Sequence, residues 1–177
     1  MSFDPEPTEY LGKSRYSEGN RYRWWYERRW GPGDSLCWVG LNPSTGDTTG
    51  RSRRTLDRVV RLAKDLGLDA VIVVNLFSYR DASPSLLKEL ARESVDIIGE
   101  QTDWWIREMT QRSAITLAGW GWSGSLLSRS AEVTSILAEP VCLGLTQKGE
   151  PRSPARVASD SELVPYRPWA ASAIHVH

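Results

Sequence analysis

The chain has 177 residues, enough for one domain with a real core and short for two. Its 22 Lys and Arg balance 22 Asp and Glu, so no global field draws it onto nucleic acid or an anionic membrane. With 40% hydrophobic and 25% charged residues, extended disorder is excluded. Nine Trp stand against two Phe and two Met, a surplus of flat rings that suits either a rigid core or stacking on a ligand. The two cysteines, Cys37 and Cys142, exclude a four-cysteine zinc site and an iron–sulfur cluster. Each lies in an apolar run (LCWVGL and VCLGLT) and is expected as a buried free thiol. No stretch approaches the roughly 18 apolar residues that crossing a bilayer requires, and MSFDPEPTEY is no signal peptide. A cytoplasmic protein with no membrane partner and a monomeric folding unit is expected, its oligomeric state left open.

Residues 1–20 are polar, with Pro5, Pro7, Gly12 and Gly19, and read as a flexible arm ahead of a single α/β domain over 21–177. RYRWWYERRW places Tyr22, Trp24, Tyr26 and Trp30 opposite Arg21, Arg23, Glu27 and Arg29. That period of two predicts a strand with an aromatic and a charged face, interrupted by Trp25. GPGD is a turn. LCWVGL (36–41) is a short apolar strand ended by the loop NPSTGDTTG. Leu56, Val59, Val60, Ala63 and Leu66 form a helical stripe over 51–66, which Gly67 ends.

AVIVVNLF (70–77) is a continuous β-branched run, expected as a strand covered on both faces. Ser83 and Pro84 suit a helix start ahead of Leu86, Leu87 and Leu90. Thr102 opens another helix through Trp105, Ile106 and Met109. AITLAGW (114–120) is a third strand. Leu126, Leu127, Val133, Ile136 and Leu137 mark a further helix, and VCLGLT (141–146) a fourth strand. This order of strands and helices predicts a four-stranded parallel sheet between helices on both faces, a three-layer α/β/α arrangement, preceded by the aromatic strand.

In such sheets a ligand lies beyond the carboxyl ends of the strands. At the first end, Gly40 allows close backbone approach, Pro43 stiffens the turn, and Asn42 offers an amide able to hold a water or a substrate edge. Ser44 supplies a hydroxyl. Arg51, Arg53 and Arg54 at the next helix start make either a phosphate site or a solvated polar loop; the phosphate loop pattern GxxxxGK[ST] is absent. At the second end, Asn75 in an apolar strand needs partners for both halves of its amide, from backbone or from a nucleobase edge. Phe77 stacks on such a base or belongs to the core, and Arg80 follows. Trp120 and Gly121 in GWGWSG wall a pocket or cap the core. Arg152 and Ser153 lie on the loop after the fourth strand. The two histidines, His175 and His177, fall at the carboxyl end, where neither a Ser-His-Asp arrangement nor a metal site is well served. No metal or other cofactor is expected.

RYRWWYERRWG, GLNPST, VVNLFSYRDASP, DIIGEQTDWW and LGLTQKGEPRSP together resemble a bacterial family catalogued only as a domain of unknown function (number 1643). The likeness spans about residues 20–157. The order of motifs is in turn similar to the uracil-DNA glycosylase superfamily. GLNPS stands where its first strand ends in a GxxPG-type motif, Asn75 where its second strand ends in a base-reading Asn, LAGWG at the third strand, and RSP at its last loop motif. That resemblance implies a glycosylase-like fold. It implies that Asn42 orients an attacking water, Asn75 hydrogen-bonds the base, and Arg152, Ser153 and Pro154 meet phosphate and the departing base. The ligand would be a nucleotide, a nucleoside or a DNA base, and the reaction hydrolysis of an N-glycosidic bond. Ser153 stands where the pattern usually has His, so a binding protein that keeps the fold without the reaction is the alternative.

Overall fold

The computed structural model describes residues 12–43 and 54–168, and among these the chain forms seven strands and four α-helices. In chain order they are β1 (Lys13–Tyr16), β2 (Arg23–Arg29), β3 (Ser35–Gly40), α1 (Arg54–Asp65), β4 (Ala70–Asn75), α2 (Pro84–Arg92), α3 (Thr102–Gln111), β5 (Ile115–Ala118), α4 (Arg129–Thr134), β6 (Val141–Cys142) and β7 (Val164–Pro165). The strands make one sheet in the order β1-β2-β4-β3-β5-β6-β7. The four strands expected to be parallel are parallel, β4-β3-β5-β6, but they sit inside a mixed sheet: β1, β2 and β7 pair antiparallel. The expectation of a four-stranded parallel sheet is corrected accordingly.

The period-two alternation of the central strands divides the core in two. Leu36, Val71, Val73 and Leu117 face the stripe Leu56, Val59, Val60 and Ala63 of α1. Cys37, Val39, Ile72, Val74 and Ala118 face the other way, against Leu87 of α2, Ile106 and Met109 of α3, and Val133 of α4. The continuous apolar run of β4 thereby buries every residue. The helix start at Ser83 is as expected: its Oγ accepts from Leu86 N at 3.2 Å, ahead of Pro84.

Strand β2 lies inside the sheet and not at its rim, which explains the broken alternation of RYRWWYERRW. Tyr26 packs in the α1 core, while Trp25 packs in the opposite one, its ring 6.1 Å from that of Trp105. On the expected charged face Arg21 is exposed and Glu27 and Arg29 are half-buried, but Arg23 is not solvated. Arg23 is buried with its guanidinium over the Tyr26 ring, and Arg28 is buried and paired with Asp57 at 3.1 Å.

Three further differences follow from long-range pairing. Lys13–Tyr16, within the expected arm, is a strand against β2. The helix expected over 126–137 is an irregular turn, Trp122–Ser128, followed by the six-residue α4. Leu127 and Ser128 take left-handed backbone (φ 53° and 58°). The fourth strand is only Val141–Cys142, since Gly144 turns the chain at φ 106°. No helix among the described residues is long and apolar enough to cross a membrane.

Candidate functional site at the carboxyl edge of the sheet

The connection after β3 runs through α1 on one face to β4, while that after β5 runs through α4 on the other face to β6. In open α/β sheets ligands bind beyond the carboxyl ends of strands whose connections diverge in this way; here those strands are β3 and β5. Strand register brings the four chain segments together there. Gly40 pairs with Asn75, Leu76 N donates to Gly40 O at 2.9 Å, and Phe77 N donates to Leu41 O at 3.0 Å. Gly119 N donates to Val39 O at 3.0 Å, and Gly121 N to Pro151 O at 2.9 Å.

On the α1 side of this edge the alternation places Trp38, Gly40, Asn75, Gly119 and Gly121. Asn75 is 2% exposed and its Nδ2 has no hydrogen-bond partner. A buried donor in that state costs about 1–3 kcal/mol, so it needs a reason. Gly40 lies beneath it: a Cβ there would sit 3.0 Å from Asn75 Oδ1 and 3.4 Å from the Trp38 ring, a tight approach. Trp38 Nε1 donates to Gly119 O at 3.1 Å, and a Cβ on Gly119 would lie 2.9 Å from that nitrogen and 3.0 Å from Pro154 Cδ. Ser153 lies against Gly121; its Oγ accepts from Ala155 N at 3.3 Å and caps the short turn Pro154–Arg156. Arg58 on α1 donates to the carbonyls of Pro154 (3.0 Å) and Val157 (2.9 Å), bracing this loop against the helix.

Asn42 stands at the same edge, half-buried, and Pro43 beside it is buried. Asn42 Nδ2 donates to Ala82 O at 2.6 Å. That bond fixes the amide and leaves Oδ1 as its accepting end. Arg54 opens α1 with an exposed side chain. Ser44, Arg51 and Arg53 lie outside the described residues, as do His175 and His177.

Other candidates are directed elsewhere. Phe77 is fully buried in the α2–α3 core. Trp120 is buried on that same opposite face; its Nε1 donates to Glu150 Oε2 at 2.7 Å, Ser130 Oγ donates to Glu150 Oε1 at 2.8 Å, and its ring meets Tyr166 edge-on. Arg80 reaches the amino-terminal hairpin, donating to Asn20 O at 3.0 Å and covering the Tyr16 ring. Arg152 Nε turns back to Leu145 O at 2.9 Å. Sequence reasoning missed Trp38 and Arg58. The signal for Trp38 was its spacing, two residues before Gly40 and so on the same face.

Burial pushes the Cys37 thiol far above the ordinary cysteine range, and Cys142 is also raised, by burial against a smaller opposing effect of the Gly144 backbone. Both are buried free thiols. Among the described residues no group of three or more His, Cys, Asp or Glu is gathered to hold a metal.

Fold and site together define an α/β protein whose polar and glycine-bare groups collect where the central parallel strands end. The chain belongs to the family described as protein of unknown function (DUF1643), whose model matches residues 23–155. That span takes in all four strand-end motifs. No curated protein and no solved structure matches the chain.

Proposed function

We propose that the carboxyl edge of the sheet recognises a nucleobase and that the reaction served there is hydrolysis of an N-glycosidic bond. The observation that carries this reading is Asn75 at the end of β4: a buried amide whose Nδ2 lacks a hydrogen-bond partner and whose Oδ1 lies over Gly40, as an amide reserved for a ligand edge would have. The four parallel strands β4-β3-β5-β6, flanked by helices on both faces and ending in GLN, VVN, AGWG and RSP, support kinship with the uracil-DNA glycosylase superfamily and its three-layer fold.

In this mechanism Asn75 Nδ2 donates to an acceptor on the base edge, and the Ser153 hydroxyl donates to a second. The C1′–N bond breaks with its electron pair passing to the base nitrogen, and the sugar becomes oxocarbenium-like. Donors held in place before the reaction stabilise the departing base anion without reorganising. Asn42 Oδ1 accepts a hydrogen bond from water, whose oxygen bonds to C1′; the water proton ends on the base or in solvent.

The charge distribution favours a nucleoside or nucleotide over duplex DNA. Several of the arginines around β2 and α1 are engaged internally, while Arg21 and Arg54 are exposed. Arg23 and Arg28 are buried, Arg29 bonds the carbonyls of Gly31 and Gly33, and Arg58 braces the 154–157 loop. Duplex binding draws its affinity from many free cationic contacts to phosphate.

The second reading, binding without turnover, is favoured by Ser153, whose oxygen is occupied as a cap and is no match for an imidazole in stabilising an anion. Base release from nucleosides, nucleotides and base-modified DNA, followed by chromatography, tests the first reading. Release that falls at least tenfold in Asn42→Ala supports hydrolysis. Thermal stabilisation by the same compounds without release supports the second reading, and neither effect across the panel removes both.

A further inference from the structure

On the α4 side of the sheet, away from Asn75, Glu150 is the one buried carboxylate among the described residues. It is 7% exposed, and its oxygens accept only from neutral donors: Trp120 Nε1 at 2.7 Å and Ser130 Oγ at 2.8 Å. Among the described residues no Lys or Arg pairs with it. The neighbouring cations are engaged elsewhere. Arg129 holds Asp103 and Glu132, Arg152 Nε turns to Leu145 O, and Lys148 lies over the Trp122 ring, 4.6 Å from its centroid. A buried carboxylate without a counter-charge is costly, and two neutral hydrogen bonds do not replace its hydration. Each of its oxygens also keeps a further lone pair.

Glu150 lines a cavity of about 490 Å³ between α4 and the 145–150 turn. Ser130, which donates to the carboxylate, lines the same cavity, as do the hydroxyl-bearing Thr134 and Thr146. Leu145, Pro168 and the buried Tyr166 give it an apolar wall. We infer that this cavity binds a small organic ammonium ion, its charged nitrogen on the Glu150 carboxylate and its carbon body against Leu145, Tyr166 and Pro168. An ammonium group carries three donors and one charge, which suits a single carboxylate set among hydroxyl oxygens. A divalent metal ion does not suit it. Such ions take six or more oxygen ligands, and no group of three or more His, Cys, Asp or Glu is gathered among the described residues. A bare inorganic cation would also leave the apolar wall unused. The site lies across the sheet from Asn75 and stands independently of the nucleobase reading.

The test uses the full chain isotopically labelled at its tryptophan nitrogens, whose nine indole N–H groups give one resonance each. The Trp120 signal reports on Glu150 directly, because that N–H is bonded to the carboxylate. It is identified by its loss in Trp120→Phe or its displacement in Glu150→Gln. Butylamine and phenylethylamine are titrated at neutral pH and constant ionic strength, against butanol and phenylethanol, with affinity followed by calorimetry. At least one amine shifts the Trp120 signal most and saturably, and its alcohol shifts nothing. Glu150→Gln keeps an acceptor for the indole but no charge, and weakens amine binding at least about tenfold. The wild-type spectrum carries the inference even if one variant folds poorly. Binding of neither amine overturns it, as does equal binding by the alcohol or by Glu150→Gln. An amine that binds with the Trp120 signal unmoved, or a shift produced by magnesium or calcium chloride and by neither amine, overturns it as well.

Discussion

Truncating Asn75 to alanine separates stability from recognition. In the ligand-free protein the side chain is 2% exposed and its Nδ2 lacks a partner. Removing an unsatisfied buried donor returns about 1–3 kcal/mol. Against that stands the lost packing of the amide on Gly40 and the Trp38 ring, with the small cavity it leaves, about 1–2 kcal/mol. The two nearly cancel, so Asn75→Ala is expected within about 1 kcal/mol of wild type. For a chain of this size that moves the melting temperature by less than about 4 °C. A structural Asn with satisfied partners behaves differently: its truncation would strand those partners and empty the space, lowering the midpoint by about 8 °C or more. Circular dichroism or calorimetric melts of both proteins, without ligand and at matched pH, read the difference. A fall of about 8 °C or more would refute the reasoning, since it requires that the amide be anchored by the protein itself. Nucleoside binding by the same variant is expected to drop at least about tenfold, the cost of one lost hydrogen bond in a dry site.

Three further outcomes follow from the geometry. Stability declines at alkaline pH: burial raises the pKa of Cys37, Cys142, Tyr166 and Tyr22, so the folded state holds those protons more tightly than the unfolded chain. Their contribution is complete below the unfolded thiol value of about 8.5 and is lost progressively above it. Melting temperatures from pH 7.5 to 10.5 should fall, less steeply in Cys37→Ala, and a rise would contradict the assignment. Trp120→Phe removes the buried donor to Glu150 at 2.7 Å and should cost about 2 kcal/mol, seen as a midpoint lowered by roughly 4–8 °C, with nucleoside binding retained. Arg129 is buried and joins Leu76 O (3.1 Å), Asp103 (2.7 Å) and Glu132 (2.9 Å) at once. In urea melts Arg129→Met should lose about 3 kcal/mol, and Arg129→Lys should recover little, because one ammonium cannot span three acceptors; full recovery by Lys would show that charge alone matters.

The parallel centre of the fold was legible because its strands are continuous apolar runs that stop abruptly at Gly40, Asn75 and Gly119, and because Ser83 and Pro84 mark a helix start on their own. Lys13–Tyr16 and Val164–Pro165 were not legible: they carry no period, and only their pairing partners, distant in sequence for β7, make them strands. Arg23 misled for a related reason. Alternation says that a strand has two faces, not that either face meets water, and β2 has a neighbour on each side.

Candidate residues were legible at the strand ends, whereas the placement of the rings was not. Asn42, Asn75 and the 151–154 segment were candidates read from the strand ends; the register sets Gly40 beside Asn75, while the Asn42 amide bonds Ala82 O. Which tryptophan shares that edge depends on side-chain parity at the strand termini. Trp120 has the parity of Ala118 and enters the opposite core, while Trp38 has that of Gly40 and stays beside Asn75. A surplus of tryptophan is visible in composition, but a single step along a strand decides which core a ring packs against.

The most direct test of a nucleobase site at this edge is a crystal structure of the protein with the best-bound nucleoside. The account predicts the base at the carboxyl edge of β3 and β4, with a polar atom of its edge within hydrogen-bonding distance of the Asn75 amide. A nucleoside bound elsewhere, or an Asn75 amide turned onto a protein partner, would contradict it.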